Sequence, residues 1–331
     1  MDRRTFIGAV TGGLLAVPFV AKGQQAGKVA QVGYLSSGRK PTAPDDVSAE
    51  SIRVIRASLA DLGYVEGQNL ATQYRFAEDR SERLPALAAD LVGLPVDLIL
   101  AIGPASVRAA KGATATIPIA AFDLESDPVA AGFAASLAHP RGNITGVFLD
   151  QGELVGKWLE LIRASVPGLA RVAALREAAA PEPQMKAVEA GAKALGLKLQ
   201  ELDVREPREF ANAFAAAAKS RAQAMVILSS PTIARSGTQL ADLATAKRLP
   251  TISLFKENVA AGCLMAYGPS LNTTRRHVAS FAARILKGAK PADLPIERPT
   301  RFEFVINLNT AKALGLTIPP SLLQRADQVI E

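Results

Sequence analysis

From Val29 onward, short apolar runs alternate with longer stretches whose apolar residues recur every three or four positions. The runs "VAQVGYLSS", "NLATQYRF", "VDLILAIG", "IPIAAF" and "NITGVF" read as strands. Between them, "AESIRVIRASLADLG" reads as an amphipathic helix stopped by Gly63. "ERLPALAADLVG" is a helix capped by Ser81, with Pro85 in its first turn, and "PASVRAAKGA" and "PVAAGFAASLA" are two more. "VDLILAIG" is apolar nearly throughout, as a parallel strand covered on both faces must be. The alternation then restarts. "ELVGKWLELIRASVPG" aligns Leu154, Trp158, Leu161 and Ile162 on one helical face, which makes Trp158 a core residue. "RVAAL", "LQELDV", "AMVIL", "TISLF" and "CLMAYG" follow as strands with helices between them, then the long helix "NTTRRHVASFAARILKG" and the strand "FEFVINL". Alternation on this scale predicts an α/β chain with two doubly wound parallel sheets. The pattern breaks at "LDQGE", which sets the expected lobes at 27–149 and 150–267; residues 268–298 return to the first, and 299–331 pack on the second or at the hinge.

The amino end differs. Two arginines, Arg3 and Arg4, precede an apolar run over 6–20 that is diluted by Gly8, Gly12, Gly13 and Pro18. A span across the hydrocarbon needs roughly 20 apolar residues, so this run is too short. A basic start, a short apolar stretch and small residues after it describe a cleavable export signal over 1–26. The Arg pair looks like the twin-arginine subtype, with Asp2 and Gly8 departing from its usual pattern. Cleavage after Gly23 or Ala26 is expected, which delivers the chain to the periplasm.

Composition narrows the functions. A chain of 331 residues, 49% of them apolar, is long enough for two domains with substantial cores. The net charge of +7 is scattered and only 5% of residues are aromatic, so no nucleic-acid partner is expected. The single cysteine, Cys263, sits in "AAGCLMAY" and reads as a buried, inert thiol. His139 and His277 are far apart and form no metal-ligand spacing. Dinucleotide, P-loop and serine-hydrolase motifs are absent, so neither a cofactor nor catalysis is expected.

What remains is a set of small polar groups just after strands. In open parallel sheets these carboxyl ends line the ligand crevice, and helix starts with nearby hydroxyls suit a carboxylate. The candidate ligand-binding residues are Ser36, Ser37, Gly103, Ser106, Asp127, Ser230, Phe255, Glu257 and Tyr267. Phe255 and Tyr267 would cover an apolar or aromatic group, and Asp127 or Glu257 would pair with an ammonium. Local capping is the competing role for each polar member.

"DLGYVEGQNL", "ERLPALAADLV", "SDPVAAGFAASLAHPRGNITG", "AAGCLMAYGPSL" and above all the segment from "ILKGAKPADLPIERPTRFEF" to the carboxyl end resemble substrate-binding proteins of bacterial ABC transporters. These are type I periplasmic binding proteins, distantly similar to the leucine/isoleucine/valine-binding proteins. The resemblance implies two Rossmann-like lobes, a hinge of crossing strands, one small ligand between the lobes, an ABC permease as partner and a monomeric state. The ligands of the wider group include aromatic amino acids. Two departures fall near the expected ligand. Gly103 is followed by Pro104-Ala105 where Thr-Pro is usual, and the turn "LREAAAPEP" lacks the usual Asn. The expected function is solute capture by hinge closure. An exported sensory module is the alternative, and an enzyme on the same architecture a more remote one.

Overall fold

The computed structural model describes residues 28–43, 46–178, 180 and 182–331. The expected export signal lies outside the described residues. Among the described residues, no helix is long and apolar enough to cross a membrane.

The first sheet contains β1 (Ala30–Ser36), β2 (Leu70–Phe76), β3 (Leu98–Ile102), β4 (Ile119–Asp123) and β5 (Ile144–Phe148). They are parallel and lie in the order β2-β1-β3-β4-β5. The second sheet contains β6 (Arg171–Glu177), β7 (Lys198–Val204), β8 (Ala224–Ile227), β9 (Thr251–Ser253), β10 (Met265–Pro269), β11 (Phe302–Asn307) and β12 (Gln328–Ile330). Their order is β12-β11-β10-β9-β8-β6-β7. The helices, in chain order, are α1 (Val47–Asp61), α2 (Leu84–Val92), α3 (Pro104–Ala113), α4 (Gly152–Ser165), α5 (Glu182–Ala194) and α6 (Phe210–Lys219). They continue with α7 (Pro231–Arg235), α8 (Gly237–Ala246), α9 (Lys256–Ala260), α10 (Leu271–Leu286), α11 (Leu308–Ala313) and α12 (Pro320–Leu323).

The central strands of each sheet are buried on both faces, which is why they are nearly continuous apolar runs. In β3, Leu98 and Leu100 join one core with Val32, Ile55 and Phe281, while Ile99 and Ala101 join the opposite one with Leu91 and Val107. These two cores lie under α1 with α10, and under α2 with α3. The second sheet repeats the arrangement. Trp158, Ile162, Val188 and Val226 fill one side, and Phe210, Phe214, Leu240 and Ile227 the other. Trp158 is fully buried, and its indole N–H donates to the Tyr267 carbonyl at 2.7 Å. Cys263 lies in the second sheet's outer core, and burial pushes its thiol up to about 11.

The chain passes between the sheets three times. It leaves β5 for α4, which packs on the second sheet. It leaves β10 for α10, which packs on the first. It then pairs Glu297 with Val147 beside β5 before entering β11.

Three local expectations differ from the structure. The segment 128–138 is a series of turns, not a helix. The Asp127 carboxylate accepts from the N–H groups of Val129 and Ala130, and Gly132 takes φ +70°, so an Asx turn replaces the first helical turn. Ser81 begins a single 3-10 turn, and α2 starts at Leu84 with Pro85 in its first turn and no side-chain cap. Finally, β11 runs antiparallel to β10. Because the chain returns from the first sheet without a crossover helix, it enters the second sheet from the cleft end and runs opposite to its neighbours.

Candidate functional site

The carboxyl ends of both sheets face one cleft. From the first sheet come Tyr34 and Ser36 in β1, Ile102 and Gly103 at the end of β3, and Phe122 in β4. From the second come Ser230 to Arg235 around α7, and Phe255. Leu271 and Arg275 of α10 complete the wall. Together they bound a recess of about 70 Å³. A smaller recess of about 40 Å³ shares Glu125, Ser230 and Pro231 with it and reaches Ser37, Arg108 and Glu177. The larger space is walled mainly by apolar side chains with Glu125, Arg235 and Arg275 at its border, and the smaller one adds Ser37, Arg108 and Glu177.

Local sequence explains these positions. Gly103 ends β3 at φ +84°, and Pro104 then opens α3. Ser230 caps α7, its Oγ accepting from the Ile233 N–H at 3.1 Å, and Pro231 occupies the first turn. The two turns meet across the cleft: a Cβ on Gly103 would lie 2.8 Å from Pro231 Cγ. A Cβ on Gly38 would lie 2.7 Å from Arg235 Nη1. Arg235 also forms an ion pair with Asp79 of the first lobe, whose carboxylate takes Arg39 Nε at 2.6 Å on its other oxygen.

The apolar walls are aromatic. Tyr34 packs against Tyr74 and Phe76, with ring centroids 5.4 and 5.9 Å away. Burial pushes the Tyr34 hydroxyl up to about 12. Two cations border the larger recess, Arg235 and Arg275, and Arg275 is only 4% exposed. Its Nη1 donates to Asn272 Oδ1 at 2.9 Å and Nη2 to the Val47 carbonyl at 3.5 Å, while Nε has no partner among the described residues. Burial draws its ionisation downward, opposed by the charges of Glu257 and Glu50.

At the crossing from β5, buried Gln151 ties the lobes together. Its Nε2 donates to the carbonyls of Leu124 (3.1 Å) and Ser229 (3.3 Å), and its Oε1 accepts from the Ser229 N–H at 2.9 Å. Arg298 and Glu153 pair at 2.5 Å nearby. Beside Gln151 stand two wholly or nearly buried acids, Asp123 and Glu125. Burial raises the pKa of both, and the Asp123 charge adds to the rise at Glu125.

The structure brings Ser36, Gly103, Ser230 and Phe255 around the larger recess and Ser37 to the smaller one. The other four lie elsewhere. Ser106 is fully buried in α3 and its Oγ has no partner among the described residues. Asp127 serves the Asx turn. Tyr267 stacks on Phe302 with centroids 5.8 Å apart. Glu257 borders a charged groove of about 450 Å³ outside the recess, beside Arg39, Asp79 and Arg235; burial raises its carboxyl.

Tyr34, Phe122, Glu125, Arg235 and Arg275 were not singled out from sequence. Two carried a readable signal. Glu125 lies between Asp123 and Asp127 just after β4, where strand ends meet the crevice. Arg275 falls on the buried stripe Leu271, Arg275, Val278, Ala282 of α10, and a charge on an apolar stripe needs a partner.

Comparison with known proteins agrees with this architecture. The chain is 25% identical over 263 residues to the tyrosine-binding protein of Clostridioides difficile (strain R20291), covering 78% of this chain and 74% of the relative. A Streptococcus pneumonia ABC domain crystallised in complex with L-Trp superposes with a TM-score of 0.80 at 26% identity, covering 91% of this chain and 99% of that one. A conserved domain protein from Vibrio cholerae superposes equally well, with a TM-score of 0.80 at 25% identity over 91% of this chain and all (100%) of that one. The family model described as ABC transporter substrate binding protein matches residues 45–330. With two doubly wound sheets facing one recess, and with that match spanning most of its length, the chain belongs to the substrate-binding proteins of ABC transporters.

Proposed function

We propose that this protein is the exported solute receptor of an ABC uptake system, and that it takes a carboxylate-bearing ligand with an aromatic body, an aromatic amino acid, between its lobes. The observation that carries the reading is Arg275, a buried cation that borders a recess walled by Tyr34, Phe122 and Phe255 and whose Nε has no partner among the described residues. A buried guanidinium with free donor capacity favours a carboxylate, and charge-assisted bonds there are strong because water is excluded. Aromatic walls favour a flat apolar body. The relatives described as tyrosine-binding and as holding L-Trp support the same ligand class. Capture works by closure: a ligand touching both walls stabilises the closed lobes, and the three crossings act as the hinge. The receptor acts as a monomer and hands its unaltered cargo to a permease.

Titration calorimetry with L-tyrosine, L-tryptophan, L-phenylalanine and L-leucine tests this. Tight binding of the aromatic members, together with a smaller radius of gyration by X-ray scattering on saturation, is the expected result. Failure of all four to bind, or an unchanged scattering envelope with ligand bound, overturns the ligand class or the closure respectively.

A further inference from the structure

One buried group in the cleft wall has no use in that reading. Glu125 stands where β4 gives way to the first crossing, is 6% exposed, and borders both recesses. It accepts a hydrogen bond from Ser229 Oγ at 3.1 Å, so this contact runs from one lobe to the other. None of the ion pairs among the described residues includes it; the nearby cation Arg235 is engaged by Asp79. The charges that act on Glu125 most are negative, those of Asp123 and Glu177. Asp123, two residues before it, accepts the N–H groups of Glu125 (2.9 Å) and Ser126 (3.1 Å) on one oxygen. The other oxygen of Asp123 has no partner among the described residues. Glu177 borders the smaller recess with Arg108, and Tyr34, Arg235 and Arg275 border the larger.

A buried carboxylate without an ion pair is costly. The least costly arrangement there is a neutral, protonated acid, in keeping with the upward shift caused by burial and by Asp123. Arg108, Arg235 and Arg275 border the recesses but none forms an ion pair with Glu125 among the described residues, so a positive group on a ligand would be its direct partner. Arg275 borders the same recess and its Nε has no partner among the described residues, so the recess holds groups of both signs for one ligand.

We infer that Glu125 reads a cationic nitrogen in the ligand and gives up a proton when that nitrogen arrives. The inference rests on the cleft being the ligand site, as proposed above. The O–H bond of the neutral acid breaks and its proton passes to solvent. An N⁺–H···O⁻ bond from the ligand takes its place, so a neutral acid and a cation become an ion pair and a free proton. Two consequences follow. The cleft selects zwitterions over acids of the same shape that lack the ammonium. Affinity also rises with pH until the free acid is ionised, because below that point binding competes with a bound proton.

The test uses the mature protein with L-tryptophan and L-tyrosine, set against indole-3-propionate and 3-(4-hydroxyphenyl)propionate. Calorimetry is run at neutral pH in phosphate and in Tris, whose ionisation enthalpies differ widely. The expected result is an observed heat that changes with buffer as proton release requires, with the amino acids bound about 30-fold more tightly than their deaminated analogues. Glu125→Gln, checked for folding by circular dichroism, is expected to lose most of that preference and the buffer dependence. Equal binding of acids and amino acids, or amino-acid binding with a heat independent of buffer, overturns the role of Glu125 and leaves the carboxylate-binding cleft standing. Failure of all four compounds to bind removes the cleft reading and this inference together. The unmodified protein decides the proton question by itself, so a poorly folded variant does not rescue the inference.

Discussion

The first lobe meets the cleft with strand ends, and the second meets it mainly with short helices. Tyr34, Ile102 and Phe122 are held by the register of neighbouring strands, Tyr34 opposite Leu100 and Ile102 opposite Phe122. Tyr74 and Phe76 back the Tyr34 ring. On the other side α7 and α9 are five-residue helices, each too short to be stable without its neighbours. The fit between the two sides depends on glycine in the first lobe: Gly103 receives Pro231, and Gly38 receives Arg235. In the closure proposed above, the strand-borne wall would recognise and the lighter wall would move, so that recognition geometry survives while the lobes part.

Five substitutions press on that contrast. The largest effect is expected at Arg275→Met, which removes the buried cation from the stiff side. A loss of about 2–3 kcal/mol, roughly 30- to 150-fold in affinity for a carboxylate ligand, is expected by calorimetry. An equal loss for Arg235→Met on the moving side erases the distinction. Next comes Gly103→Ala. It places a Cβ 2.8 Å from Pro231 Cγ at a residue with φ +84°, so seating the lobes requires a shift. Affinity is expected to fall about 10-fold with a lowered melting temperature, a strain of about 1–2 kcal/mol. A compact ligand-bound envelope at unchanged affinity argues that Pro231 moves freely.

Asp79→Asn is milder. Asp79 and Arg235 are 16% and 17% exposed, so this ion pair is partly screened. About 1 kcal/mol is expected, appearing as a roughly fivefold faster ligand release in stopped-flow traces. The difference is expected to shrink at high salt; a salt-independent change points to packing instead. Ser106→Ala is the smallest. Its Oγ is buried without a partner in the described residues and borders neither recess, so stability is expected to change by less than about 0.5 kcal/mol, or to rise, at constant ligand affinity. A clear loss of affinity means that the hydroxyl reaches the ligand in the bound form.

Much of the fold was legible because its information is local. Runs such as "LILAI" are buried on both faces and admit only a covered parallel strand. The misreading of 128–138 was local too. Its alanines have helical spacing, and the competing Asx turn from Asp127 is stronger than that preference. The site was legible wherever strand ends alone point to it, which accounts for Ser36, Gly103, Ser230 and Phe255 at the recess. Arg275 was missed because it lies inside a helix, one sequence element away from any strand end. Its exposure to the recess depends on α10 crossing back from the second sheet to cover the first.

From residue order alone come the two sets of alternating strands and helices, the buried tryptophan and thiol, and the polar turns after strands, since each depends on spacing along a few turns of chain. Which charges remain without partners was decided only in three dimensions. Arg275 and Glu125 are 150 residues apart by number and border one recess, and that neither forms an ion pair among the described residues is a property of everything packed around them. Burial strips water from both groups at once, and no local pattern of residues records which charges will be left without an ion pair.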